Sequence, residues 1–208
     1  MAKKESSLLQ LVVSLTGISL AAALALSGVF LATKEPIETI KIKKNNDAKV
    51  AVLPGFNLET GTFVEETVKL DGFSDPFTVS LAYSNDELFG AAVATYTNLA
   101  FSGRFDIIVG FDIDGNILNT AVLEHHETPG LGDKINKKKN AFAFQFDGKN
   151  PSINKIKVKK DGGGGEIDAI TAATISSRAF CDAVNNAYNA FQTVINNLTD
   201  TEKEENHE

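Results

Sequence analysis

From Ser6 to Thr33 the chain carries no charged residue, and within that stretch Leu8–Ala32 is rich in Leu, Val and Ala. At about 1.5 Å of rise per residue, such a helix is long enough to cross a hydrocarbon core of about 30 Å. A core helix of a soluble domain rarely stays uncharged for so long, so residues 1–33 are expected to form a membrane anchor, a single transmembrane helix. A cleaved signal peptide competes, with Ala23-Leu24-Ala25 as a passable cleavage site, but its apolar core usually spans only about 7–15 residues. Flanking charge does not settle the orientation. Lys3 and Lys4 precede the span, Lys34, Lys41, Lys43 and Lys44 follow it, and large domains translocate largely regardless of charge. Pro36 is expected to end the helix soon after the bilayer. Residues 34–61, including Asn45-Asn46-Asp47, then read as a juxtamembrane connection.

The remainder can bury one core of ordinary size. The chain has 208 residues, 43% hydrophobic and 23% charged, which is neither disordered nor wholly membrane-embedded. Its 27 acids against 20 bases give a net charge of −7. That argues against a nucleic-acid partner, which needs a clustered basic surface. One cysteine, Cys181, excludes an internal disulfide framework and a CxxC zinc site, and it reads as a buried helix residue. Three histidines make a His-rich metal centre a poor fit.

The pattern of residues 62–199 predicts an α+β domain. Thr62–Leu70, Phe77–Tyr83 and Leu88–Tyr96 are candidate strands, enriched in Thr, Val, Phe and Tyr. Residues Arg104–Ile113 place apolar side chains at every second position. Asp114-Gly115-Asn116 then signals a tight turn, and Ile117, Asn119, Ala121 and Leu123 continue on the other arm of a hairpin. Lys134–Lys139 reads as a solvated basic run. Phe142, Phe144 and Phe146 are expected in the core, Ile153, Ile156 and Val158 on a short strand, and residues 161–165 in a loop. Phe180, Val184, Ala187, Tyr188, Phe191, Val194, Ile195 and Leu198 recur at three- and four-residue spacing, one apolar stripe of a long helix. Residues 200–208 read as an acidic, frayed tail. The expected architecture is a transmembrane helix followed by one domain, with the C-terminal helix packed on a twisted, mainly antiparallel sheet.

Two segments hold more chemistry than composition requires. In Asp168-Ala-Ile-Thr171-Ala172-Ala173-Thr174-Ile-Ser176-Ser177, one acid and four hydroxyls gather where the long helix begins. They can cap its free N–H groups. Equally, that first turn offers unpaired N–H groups and a positive dipole end to a phosphate. Small Ala172 and Ala173 let a ligand approach the backbone, and a hydroxyl there can bind a phosphate or be esterified to one. The second segment is His125-His126-Glu127-Thr128-Pro129-Gly130-Leu131-Gly132. It is either a plain connector or a rigid turn that presses its backbone and Leu131 against a flat ligand. Adjacent histidines on a strand point to opposite faces, so no metal site is expected there.

Asp168-x-x-Thr171-Ala172-Ala173-Thr174-x-x-Ser177 resembles the flavinylation motif D-x-x-[ST]-G-A-T-x-x-[ST]. Glu127-Thr-Pro-Gly-Leu-Gly132 resembles the second signature of the same FMN-binding domain. Val109–Ile117 and Gln145–Lys149 are similar to the segments around them. Together these resemble the family of the G subunit of Rnf electron-transport complexes, with the C subunit of the sodium-translocating NADH:quinone reductase as the nearest rival.

The resemblance implies an FMN-binding domain and a membrane electron-relay subunit of an ion-translocating oxidoreductase, not active alone. FMN would be carried on Thr174 through a phosphoester bond made by a separate flavin transferase from FAD. Asp168, Thr171, Ala173 and Ser177 match the motif around the acceptor, and Glu127, Thr128, Leu131 and Gly132 match the loop against the flavin. No catalytic residue beyond the flavin and no metal is implied. The partners would be other membrane subunits and, during maturation, the transferase. The resemblance also implies a single-pass protein of the inner membrane with its flavin domain on the periplasmic side. A membrane-anchored FMN-domain reductase or sensor and a flavin-free interaction domain are the alternatives. One position departs from the pattern. Ala172 stands where glycine is usual, which costs little in a helical or extended backbone and more at positive φ.

Overall fold

A computed structural model describes residues 8–205, with side chains through Thr199. The start of the expected anchor (residues 1–7) and the last three residues of the expected tail lie outside that range. The chain divides into two compact units between Lys44 and Asn45.

Helix α1 is continuous over Leu8–Ala51, with Pro36 inside it. The expectation that Pro36 ends the helix is therefore corrected. A proline removes one N–H and costs about 3 kcal/mol in a helix interior. The turns on either side keep their own bonds, and the hydroxyl of Thr33 donates to the carbonyl of Val29 at 2.8 Å. By length and composition α1 can cross a membrane, and none of its most apolar window is buried in the protein.

The second unit is built on one antiparallel sheet. Its strands are β1 (Gly61–Val68), β2 (Phe77–Ser84), β3 (Glu87–Ala100), β4 (Gly103–Phe111) and β5 (Ile117–Glu124), hydrogen-bonded in chain order. The β4–β5 turn is held by Asp112, whose Oδ1 accepts from the N–H of Asp114 (3.0 Å) and of Asn116 (2.8 Å). The turn thereby takes in Ile113, expected on the strand and found exposed. A bulge at Gly110/Phe111 shifts the parity of β5. Ile117 stays in the larger core, but Ala121 and Leu123 pack in the smaller one.

Helix α2 (Thr174–Glu205) covers one face of the sheet and runs past the point where the tail was expected to fray. Phe180, Val184, Ala187, Phe191 and Val194 are buried against Phe105, Ile107, Val109 and Phe111. Each of the phenylalanine, valine and isoleucine side chains taken out of water contributes about 1.5–3 kcal/mol. The Phe111 and Phe191 rings stack at 5.1 Å. The other face is covered from the N-terminal side of the unit. Val52, Leu53 and Phe56 join Ala82, Ala92 and Ile108 in a second core, so residues read as a connection pack on the sheet. A Cβ on Gly110 would lie 1.9 Å from the Val52 carbonyl oxygen, so only glycine lets that chain pass so close.

Three further expectations change. Phe142 and Phe146 are buried on a 3-10 turn (Phe142–Phe146), but Phe144 is exposed. One turn of helix aims the middle ring outward, beneath the Lys137 ammonium at 4.6 Å. Lys137 is accordingly not simply solvated. Its Nζ also bonds Asn119 Oδ1 (2.5 Å) and the Asp147 carboxylate (2.6 Å). Instead of a strand through Ile153, Ile156 and Val158 there is a single parallel bridge between Val158 and Ile167. The Gly162–Gly165 loop folds back there, and a Cβ on Gly165 would lie 2.3 Å from the Val158 carbonyl oxygen.

Candidate functional site

Three segments meet beside the start of α2: the β3–β4 turn, the loop after β5, and the loop before α2. They enclose a cavity of ≈ 320 Å³ lined by Phe101, Glu127, Thr128, Leu131, Gly132 and residues Ala172–Ser176. That volume is at the lower end of the range of about 300–1,000 Å³ for small-molecule sites.

Glu127 joins all three walls. It is 5% exposed. Its Oε1 accepts from the Ser102 N–H of the β3–β4 turn at 2.9 Å. Its Oε2 accepts from the Ser176 hydroxyl in the first turn of α2 at 2.5 Å. Its own N–H donates to His125 Nδ1 at 3.2 Å, so that nitrogen carries no proton. Burial, with Lys139 nearby, holds the His125 imidazole below its ordinary pKa, which fits an accepting ring. The loop then turns at Pro129-Gly130, with φ of +78° at the glycine. The Thr128 carbonyl accepts from Leu131 N–H (3.1 Å) and Asp133 N–H (3.4 Å). This leaves Leu131 at the cavity, 41% exposed, while Ile135 anchors the following 3-10 turn (Gly132–Ile135) in the core.

The loop before α2 is a hydrogen-bonded turn. Ala173 N–H donates to the Ile170 carbonyl at 3.0 Å. The buried Ser177 hydroxyl donates to the Ala173 carbonyl and accepts from the Ile170 N–H, each at 2.9 Å. Ala172 occupies the left-handed region at φ +62°. An alanine there costs roughly 1–2 kcal/mol, where a glycine costs nothing. Thr174 is half-buried at the first position of α2. Among the described residues, no hydrogen bond from the N–H of Thr174, Ile175 or Ser176 is present, as expected for a first helical turn. Those groups give the cavity wall a positive partial charge.

The structure thus brings seven of the residues singled out from the sequence, Glu127, Thr128, Leu131, Gly132, Ala172, Ala173 and Thr174, to one cavity. Asp168 and Thr171 line a second, more polar pocket of ≈ 450 Å³ with Lys134, Asn140, Phe142 and Gln145. Asp168 is exposed there. Gln145 clamps its backbone, accepting from its N–H at 2.8 Å and donating to its carbonyl at 3.1 Å, while Lys159 pairs with its carboxylate at 2.7 Å. Ser177 reaches neither pocket and holds the loop instead. Sequence reasoning missed Phe101, Ile175 and Ser176 as lining residues. Ser176 was one of the counted hydroxyls. Phe101 falls between two expected strands with nothing in the sequence to mark it, and it is 67% exposed in the fold.

Among the described residues no group of three or more His, Cys, Asp or Glu could hold a metal. Cys181 is buried, its thiol pushed up to about 12 by that burial, so it is no nucleophile at neutral pH. The cavity's chemistry is that of an apolar slot (Phe101, Leu131, Ile175) with three hydroxyl residues (Thr128, Thr174, Ser176), one helix terminus and one buried carboxylate.

The FMN-binding domain family matches residues 101–189, which include both loops and the start of α2. The G subunit of the ion-translocating oxidoreductase complex from Yersinia pestis is 38% identical over 149 residues, 69% of this chain and 70% of that protein. The G subunit from Erwinia tasmaniensis is 41% identical over 116 residues, 54% of each chain. That of Shewanella amazonensis is 38% identical over 117 residues, 55% of this chain and 54% of its own. The matched segment thus spans about half the length of the last two.

Proposed function

Because this chain belongs to the family of the G subunit of ion-translocating oxidoreductase complexes, we propose that it is the electron-relay subunit of such a complex, with FMN on Thr174. The single observation that supports this best is the cavity itself. Thr174 borders it at a helix N-terminus, and the Glu127–Gly132 loop closes it from the other side.

The residues fit the group. Phe101, Leu131 and Ile175 offer apolar surface to a flat ring. The free N–H groups of Ile175 and Ser176 suit a phosphate diester, which keeps one negative charge. FMN, when bound, supplies the redox chemistry, accepting and releasing electrons singly or in pairs. The chain's part is to hold the ring, limit water around it and leave one side open to a partner. In maturation the Thr174 hydroxyl oxygen bonds to the FMN-side phosphorus of FAD. The pyrophosphate bond breaks, AMP leaves, and the hydroxyl proton is released. A separate flavin transferase catalyses this step, and no lysine or histidine lines the cavity to serve as a base. A covalent tether keeps the effective concentration of a flavin high in an open site.

We place the flavin domain on the periplasmic side of the inner membrane, with α1 as the single-pass anchor and the other membrane subunits of the complex as partners. The chain is not active alone. The test is Thr174→Ala in cells that express a flavin transferase. Wild-type chain gives a flavin-fluorescent band on a denaturing gel, and the alanine variant gives none while folding normally. A fluorescent alanine variant, or a dark wild type, refutes the assignment.

A further inference from the structure

We infer that Glu127 sets the electron affinity of the group bound in the cavity, a buried negative charge positioned there by Ser102 and Ser176. The inference rests on the reading that the cavity holds the flavin ring.

The residue combines three properties. It is buried, and it is one of the residues that line the cavity. The Ser102 N–H can only donate, so Oε1 is an acceptor, and the Ser176 hydroxyl donates to Oε2. Glu127 has no lysine or arginine partner among the described residues. His125, whose Nδ1 accepts from the Glu127 backbone N–H, presents an unprotonated nitrogen there and so does not neutralise the carboxylate.

A buried carboxylate without a cation is costly, and a glutamine of the same shape would be cheaper. Glutamine would keep both contacts, its oxygen accepting from Ser102 and its amide donating to the Ser176 oxygen. The fold therefore has no structural need of the charge, only of the shape. A charge in a cavity wall acts on the electrons of whatever fills the cavity. Each electron that the ring accepts without a proton adds a negative charge, and a fixed negative charge nearby opposes it. At an effective dielectric constant of about 20, one unit charge changes the equilibrium of another by tenfold or more out to about 12 Å. Ser176 is a positioning residue. It fixes where the carboxylate stands relative to the start of α2, and Gly132 leaves room for that bond.

The experiment compares full-length wild type, Glu127→Gln and Ser176→Ala, purified from membranes of cells expressing a flavin transferase. Each is assayed for covalent flavin by denaturing gel, for melting temperature, and for midpoint potential by spectroelectrochemical titration. The expected result is covalent flavin in all three chains and a Glu127→Gln melting temperature no lower than wild type. At a fixed one-electron poise its ratio of reduced to oxidised flavin rises at least tenfold, about 59 mV. Ser176→Ala retains the charge and shows a smaller shift. Equal potentials in wild type and Glu127→Gln, with flavin present in both, overturn the inference and leave the flavin reading intact. A Glu127→Gln chain that takes no flavin while wild type does also overturns it, since the carboxylate would then serve attachment. Wild type without flavin sinks the flavin reading itself.

Discussion

A Cβ placed on Gly132 would stand 2.1 Å from Glu127 Oε2 and 2.7 Å from Ser176 Oγ. The glycine is required by the close approach of that hydrogen-bonded pair, not by an unusual φ. Gly132→Ala must push the carboxylate away from Ser176 or shift the loop, an overpacking that costs about 1–3 kcal/mol. The expected outcome is a lower melting temperature together with reduced covalent flavin. An unchanged melting temperature would show that the loop yields freely.

Ala172 is the opposite case, a side chain where the backbone favours none. Ala172→Gly relieves about 1–2 kcal/mol of left-handed strain and gives back about 0.4–1 kcal/mol through the larger entropy of the unfolded chain. A net gain of up to about 1.6 kcal/mol is expected, read as a rise in the urea midpoint. A loss would mean that the methyl group packs usefully against something in the cavity.

Ser177 bridges Ile170 and Ala173 from inside the core. Ser177→Ala leaves the Ile170 N–H buried without an acceptor, a loss of about 1–3 kcal/mol. Flavinylation of this variant should fall at temperatures where the whole domain is still folded, because the loop carrying Thr174 loosens first. Hydrogen exchange at Ile170 and Ala173 measures that opening. Protection equal to wild type would remove Ser177 from the role of loop staple.

Acid should weaken the domain through its paired carboxylates. Lys139 holds the Asp133 carboxyl below its usual range, Arg178 does the same for Asp161, and Lys149 for Glu166. Below the ordinary carboxylate range the unfolded chain binds more protons than the folded one. Stability from these pairs is therefore present above that range and lost as pH falls through the lowered folded values. Asp161→Asn should destabilise the protein more at pH 7 than at pH 3 in urea titrations. An equal loss at both would show that the pair contributes nothing through charge.

The sheet could be read from the chain because each of its signals is local. Asp112–Asn116 carries its own turn, β2 to β4 alternate or are apolar throughout, and the α2 stripe repeats at helical spacing. Both loops of the cavity could be read because their glycines, proline and hydroxyls are closely spaced in sequence. Phe101 and Ser176 could not, since only the register of β3 with β4 and the docking of α2 bring them to Glu127. Nor could the role of Val52, Leu53 and Phe56. They follow a polar, helix-forming stretch, and the buried residues of the sheet face they cover, Ala82, Ala92 and Ile108, lie far along the chain. Pro36 misled because a local rule about one missing hydrogen bond was set against a long helix that keeps its other bonds.

Leu131 separates a packing role from a ligand role. It is 41% exposed and held at the cavity by a turn whose hydrogen bonds come from the backbone, so its side chain contributes little to the folded state. Leu131→Ala should change stability by less than about 1 kcal/mol, within the range of a partly exposed apolar truncation. If the leucine presses on the flavin ring, the same variant opens that side to water. The midpoint potential or electron-transfer rate should then move by more than the melting temperature does. Paired calorimetry and redox titration of the flavinylated full-length chain check this. A large drop in melting temperature with the potential unmoved would make Leu131 an ordinary packing residue and return the Pro129–Gly132 turn to the status of a connector.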